Sequence, residues 1–134
     1  MLPQEKTDIS LKNTKLTVLV VEDNKLLLIL LQDALKAEQY ETQFVSTAED
    51  ALALINKGEE FNLLLTDYLL PGIDGVALMI EARKKLPDLK AILISGLTPE
   101  FVEIPDNLAN ITFIQKPYDP LLLRQQVESL LLGA

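Results

Sequence analysis

Cysteine and histidine are both absent from this chain of 134 residues. Without thiols there is no disulfide framework and no thiolate metal site, which agrees with a reducing compartment. Without imidazole, Ser-His-Asp and Cys-His hydrolysis, most zinc chemistry and any histidine phosphodonor within the chain are excluded. Long apolar runs are missing too: the longest, Leu26 to Leu31, falls far short of the ~20 residues that cross a bilayer. The start, Met1 to Asp8, has neither the basic region nor the apolar core of a secretory signal, so a cytoplasmic protein without membrane insertion is expected. Basic residues are in deficit, 12 against 20 acidic, and the net charge of −8 disfavours direct contact with nucleic acid or an anionic membrane. Partners are expected to be proteins. Chemistry is left to carboxylates, hydroxyls, lysines and a hard metal ion.

What is present is an alternation of short strands and helices. Hydrophobic residues make up 49% of the chain, and one domain of this length buries roughly two thirds of its unfolded surface. Leu16 to Val21 is a β-branched run that ends at Glu22-Asp23; Asn24 then precedes a helical pattern reaching about Glu38. Glu41 to Val45 forms a second strand, followed by Ser46-Thr47-Ala48-Glu49 with capping-box spacing and by Gly58 as a helix stop. Phe61 to Thr66 is a third, fully apolar strand, Gly75 to Leu86 a helix ended by Pro87, and Ala91 to Ile94 a fourth strand closing on Ser95-Gly96. Thr98-Pro99 can start a helix, but Pro105 and Asp106-Asn107 keep it short or irregular. Ile111 to Gln115 is the fifth strand, and Asp119-Pro120 caps a last helix through Leu132. Five βα units imply an α/β fold, a doubly wound parallel sheet with helices on both faces, because parallel strands need right-handed crossovers. Residues 1–15 read as a flexible tail and 16–134 as the folded domain.

Polar residues gather where strands end: Glu22-Asp23 after the first, Asp67 after the third, Ser95 after the fourth, Lys116-Pro117 after the fifth. Ligands of open α/β sheets sit beyond the carboxyl ends of the strands, at the crevice where strand order reverses, so the topology brings these residues to one edge. Taken singly, each has an ordinary reading as a cap or turn residue. Together, Val20-Val21-Glu22-Asp23-Asn24, Asp67-Tyr68-Leu69-Leu70-Pro71-Gly72-Ile73-Asp74-Gly75, Ile94-Ser95-Gly96 and Gln115-Lys116-Pro117 resemble the receiver domain of two-component response regulators, over about Leu16 to Leu132.

The resemblance implies a flavodoxin-like strand order 2-1-3-4-5 and a phosphoryl-accepting switch. Asp67 would attack a phosphoryl group on the phosphohistidine of a histidine kinase or histidine phosphotransfer domain, forming an aspartyl phosphate. Clustered carboxylates repel one another, and Mg²⁺ removes that cost by taking oxygen ligands, here Glu22, Asp23, Asp67 and the backbone carbonyl of Leu69. Lys116 would set its ammonium against a phosphoryl oxygen and Ser95 would donate a hydroxyl hydrogen bond to it. The Lys116-Pro117 bond is cis in this family, with Pro117 aiming the lysine inward. Phe113 occupies the position of the aromatic that follows the Ser95 sensor between rotamers.

Two features depart from a generic receiver. Leu69 and Leu97, two residues beyond Asp67 and Ser95, are apolar where fast-cycling receivers tend to be polar; they neither orient an attacking water nor stabilise its charge, so slow loss of phosphate from Asp67 is expected. The run Leu26 to Leu31 carries more apolar residues than one helix stripe absorbs. Leu27, Leu30, Leu31, Ala34 and Leu35 fit the buried face, which leaves Leu26, Leu28 and Ile29 as an apolar docking patch for the phosphodonor. The short fourth helix leaves a homodimer face unspecified. A pseudo-receiver that binds partners without phosphorylation is the alternative, set back by the completeness of the site. A phosphohydrolase would need a second carboxylate as general acid and a cap over its substrate, which the short loops do not offer. The motifs suit both a single-domain regulator and a receiver belonging to a hybrid kinase.

Overall fold

The structure is a computed structural model and describes residues 15–102, 104–105 and 108–133; of the expected tail, residues 1–15, all but Lys15 lie outside the described residues. Five strands pair in parallel in the order β2-β1-β3-β4-β5: β1 Leu16–Val21, β2 Tyr40–Val45, β3 Leu63–Asp67, β4 Lys90–Ser95 and β5 Ile111–Gln115. Among the described residues four α-helices flank them: α1 Lys25–Ala34, α2 Ala48–Asn56, α3 Gly75–Arg83 and α4 Pro120–Leu132. This is the doubly wound, flavodoxin-like α/β fold expected from the alternation.

Period-two alternation sorts the strand residues between two cores. Leu19, Val21, Leu64 and Ala91 face α2 and α3, where they meet Ala51, Ile55, Leu78 and Met79. Val18, Val20, Leu63, Leu65, Ile92 and Ile94 face the other way, against Leu31 and Leu35 of α1 and Leu123 and Val127 of α4. The central strands β1 and β3 are therefore apolar on both faces, as burial beneath two helix layers demands.

Side-chain caps fix where each helix starts. Asn24, Thr47, Asp74 and Asp119 accept hydrogen bonds from the amides of Leu27, Asp50, Ala77 and Leu121 at 2.8 to 3.0 Å. The second of these corrects the expected capping box: Thr47 caps α2, not Ser46. Both positions have an acid three residues on, so the pattern alone does not separate them. Boundaries shift elsewhere as well. Helix α1 stops at Ala34, short of Glu38, and α3 at Arg83, short of Leu86. Strand β3 begins at Leu63 because Asn62 spends its side chain on Thr17, whose amide donates to Asn62 Oδ1 at 2.9 Å.

The fourth crossover contains no α-helix among its described residues. A 3₁₀ turn, Pro99–Phe101, is its one regular element there, closed by the Phe101 amide donating to the Thr98 carbonyl at 2.9 Å. Strand β5 consequently lacks the cover enjoyed by β1 and β3, and Ile111, Thr112, Phe113 and Ile114 are all half-buried.

Candidate functional site

Strand register gathers the polar residues. The β1–β3 pairing ends at Val21–Thr66, the β3–β4 pairing at Asp67–Ile94 and the β4–β5 pairing at Ser95–Gln115. Glu22, Asp67, Ser95 and Lys116 therefore stand at the same edge, each at or one residue beyond the end of a ladder. Glu22 and Asp67 are buried, 3% and 5% exposed, whereas Asp23 lies open to solvent. Carboxylate oxygens of Glu22, Asp23 and Asp67 lie within 4.8 Å of one another.

The electrostatics of this cluster are unbalanced. Burial first, and the neighbouring Asp67 carboxylate second, push the Glu22 carboxyl up to about 7. The Asn24 amide donates to Glu22 Oε2 at 3.0 Å and offsets part of that rise. Lys116 brings its Nζ to 3.0 Å from Asp67 Oδ1 without hydrogen-bond geometry, so among the described residues Oδ1 has an ion-pair partner and no hydrogen bond. One ammonium thus faces three carboxyl groups. An all-oxygen donor set, a buried carboxylate oxygen without a hydrogen bond and a carboxyl raised by burial and by its carboxylate neighbour together fit a hard divalent cation such as Mg²⁺.

Ser95 is 3% exposed, and its Oγ accepts a hydrogen bond from the Leu97 amide at 3.0 Å, which leaves its own proton free to donate. The Lys116 amide donates to the Ser95 carbonyl at 2.7 Å, so the two strand ends are tied directly. The Lys116-Pro117 peptide is cis. Leu69 and Leu97 stand at the rim, 64% and 37% exposed.

A family model, described as response regulator receiver domain, matches residues 18–128. The chain belongs to the response regulator receiver family. It is 36% identical over 122 residues to the hydrogenase transcriptional regulatory protein HoxA of Cupriavidus necator, covering 84% of this chain and 24% of HoxA. It is 30% identical over 117 residues to the sensor kinase CckA of Brucella abortus, covering 86% of this chain and 12% of CckA. The receiver thus spans a quarter or less of either relative. The crystal structure of a CheY-like response regulator receiver domain protein from Methanospirillum hungatei superposes with a TM-score of 0.73 at 32% identity, over 87% of this chain and 94% of the other.

Receivers act in two-component signalling, generally bind Mg²⁺ at an acidic pocket and partner with histidine kinases or phosphotransfer proteins; in this receiver the acidic pocket is Glu22, Asp23 and Asp67. Phe113 sits on β5 opposite Leu93, half-buried beside the crossover that lacks an α-helix among its described residues. The α1 patch needs correction. Leu26 and Ile29 are exposed, 66% and 60%, but Leu28 is half-buried in a groove with Phe44, Val45 and Leu54, and Leu30, expected inside, is 50% exposed. The buried arc centres on Leu31: Leu28 lies only about 60° from it around the helix and Leu30 about 100°.

Three residues were given no part in the site by the sequence. A Cβ at Gly75 would overlap the Asp67 carbonyl, so α3 starts against the backbone of Asp67 only because this residue has no side chain. Tyr118 has its phenol pushed up to about 12, by burial first and then by Glu22 and Asp67, which keeps it a neutral donor beside the pocket. Thr66 donates its hydroxyl to the Asp67 carbonyl at 3.0 Å. None of these carries a sequence signal of its own, since each acts through a contact made in three dimensions.

Proposed function

We propose that Asp67 is the phosphoacceptor of a phosphorelay and takes its phosphoryl group from a phosphohistidine on a histidine kinase or histidine phosphotransfer domain. The observation that carries this reading is Asp67 itself: a buried carboxylate whose Oδ1 has no hydrogen bond among the described residues and whose ion-pair partner is the Lys116 ammonium at 3.0 Å. An Asp67 oxygen attacks phosphorus in line, the P–N bond to the imidazole breaks, and an acyl phosphate forms. Mg²⁺, held by Glu22, Asp23, Asp67 and the Leu69 carbonyl, would supply charge neutralisation between these carboxylates and the incoming phosphoryl oxygens. Lys116 stays within reach to pair with one phosphoryl oxygen. The free Ser95 proton turns toward another, drawing the β4 end inward, with Phe113 moving into the space released beside it.

Leu69 and Leu97 exclude the ordered water that hydrolysis of the acyl phosphate requires, so the phosphorylated state is long-lived. The donor docks on α1 through Leu26, Ile29 and Leu30. Leu30 also lines an apolar groove of about 440 Å³ with Leu27, Tyr118 and Pro120, and Lys116 forms a wall shared with the acceptor pocket. Leu28 belongs to the docking surface only at its edge.

Incubation with Mg²⁺ and acetyl phosphate, followed by intact mass, tests the acceptor: one phosphoryl adduct is expected, absent in Asp67→Asn. No adduct on the unaltered protein leaves partner binding without phosphorylation as the function. With a phosphohistidine protein as donor, Leu26→Lys together with Ile29→Lys should slow transfer about tenfold and leave labelling by acetyl phosphate unchanged. Equal transfer would remove α1 from the docking surface.

A further inference from the structure

We infer that Thr66 is a positioning residue for Asp67, holding the peptide from which the acceptor carboxylate projects. This role presupposes that Asp67 is the acceptor. Thr66 is 1% exposed and pairs with Val21 on one side and Leu93 on the other, an environment that a valine of the same shape would fill. A hydroxyl buried among such neighbours is costly unless it finds a partner, and its partner is the carbonyl oxygen of Asp67, at 3.0 Å. The need is local. The β1–β3 ladder stops at Val21–Thr66, one residue before Asp67, so β1 offers no paired residue opposite the Asp67 peptide.

The flanking contacts show how closely that peptide is held. On its far side the Tyr68 amide donates to the Ile94 carbonyl at 2.8 Å, and the Tyr68 carbonyl accepts from the Gly75 amide at 2.7 Å. Gly75 itself lies against the Asp67 carbonyl with no room for a side chain. Strand β4 and helix α3 therefore fix the chain after Asp67, while the Thr66 hydroxyl is the donor that fixes the carbonyl of Asp67 itself. Rotation of this peptide would swing the carboxylate and shift the route toward Leu69 together. A deviation of that kind is what in-line transfer tolerates least.

Thr66→Val and Thr66→Ser in the full chain test the assignment by two readouts. In the first, labelling by acetyl phosphate is followed by intact mass across a range of Mg²⁺ concentrations. Thr66→Val should lower the rate at saturating Mg²⁺ by about tenfold, the size of one neutral hydrogen bond lost at the transition state, and Thr66→Ser should restore it to within about twofold. Thermal unfolding should place the valine variant no lower than the serine variant. A valine variant that labels at the unaltered rate, or a serine variant no faster than valine, would overturn the role. The second readout needs no phosphoryl transfer: Mg²⁺-induced amide NMR shifts at Asp67 and Tyr68 should differ between Thr66→Val and the unaltered protein and coincide for Thr66→Ser. Identical shifts in all three overturn the role as well. Should the unaltered protein take no phosphoryl group, the acceptor reading fails, and the NMR comparison still decides whether Thr66 positions the Asp67 peptide.

Discussion

Along β1 and β3, every residue from Val18 to Val21 and from Leu63 to Asp67 is buried, whereas along β5 none is, and beside it Leu97 and Phe101 are 37% and 67% exposed. The same carboxylate pocket is flanked by both. Its deep shoulder carries Glu22, Thr66 and Asp67, all buried, between two helix layers. Its open shoulder carries Leu97 and Phe113, beside a crossover whose described residues hold a single 3₁₀ turn, while Ser95 is buried at the end of β4 between the two. Burial thus differs sharply between the two shoulders of one pocket. Residues with many apolar neighbours open rarely, and sparsely covered ones open at low cost.

The sharpest way to break this division is to strike the deep shoulder at its tightest contact. Gly75→Ala drives a methyl group into the Asp67 backbone, where neither strand nor helix can yield, and should cost about 3 kcal/mol of stability by urea unfolding. A cost near zero would mean that the deep shoulder is plastic and the contrast with β5 is illusory.

Next in size is the charge carried by the deep shoulder. Glu22 has a folded pKa of about 7 against an ordinary 4.5, so the fold favours its protonated form. Its contribution to stability is complete below pH 4.5 and is lost as the pH rises to 7 and beyond, where the fold must bury the charge. In chelator, Glu22→Gln should therefore gain on the unaltered protein by about 1 to 2 kcal/mol between about pH 4 and about pH 8, less than the full shift implies because Asp67 shares it and solvent screens it. A pH-independent difference between the two unfolding curves would show that Glu22 is already compensated.

The open shoulder should answer in kinetics and not in stability. Leu97→Asn, at a side chain 37% exposed, should leave the unfolding midpoint almost unchanged while shortening the lifetime of phosphorylated Asp67 by about tenfold; Leu69→Asn, at 64% exposed, should do the same. Phosphate release measured after removal of donor decides it. Unaltered lifetimes in both variants would separate the leucines from water exclusion.

Whatever is marked by composition or by position was legible in the chain. Short β-branched and apolar runs gave the five strands, and the polar residues that end them gave Glu22, Asp67, Ser95 and Lys116, since a polar group at the end of an apolar strand has few places to go. The phase of α1 was hidden because Leu26 to Leu31 contains no polar residue to mark the solvent side. Leu28 and Leu30 exchanged places for that reason. The cap of α2 was ambiguous between two adjacent hydroxyls. Thr66 and Gly75 stayed invisible because their contacts are with the backbone of Asp67, and a backbone carbonyl leaves no mark on the sequence.

Burial and the neighbouring Asp67 lift the Glu22 carboxyl to about 7, so its neutral form competes with the charged one near neutral pH. A cation drawn in by that carboxylate has to displace the proton, so uptake of the ion and release of hydrogen ion are one event. Titration with Mg²⁺ in buffers of differing ionisation enthalpy should then give heats that follow the buffer, and mild acidification should weaken binding. On the proposed reading of Asp67 as acceptor, one buried carboxyl would tie the readiness of the pocket to the acidity of the surrounding solution.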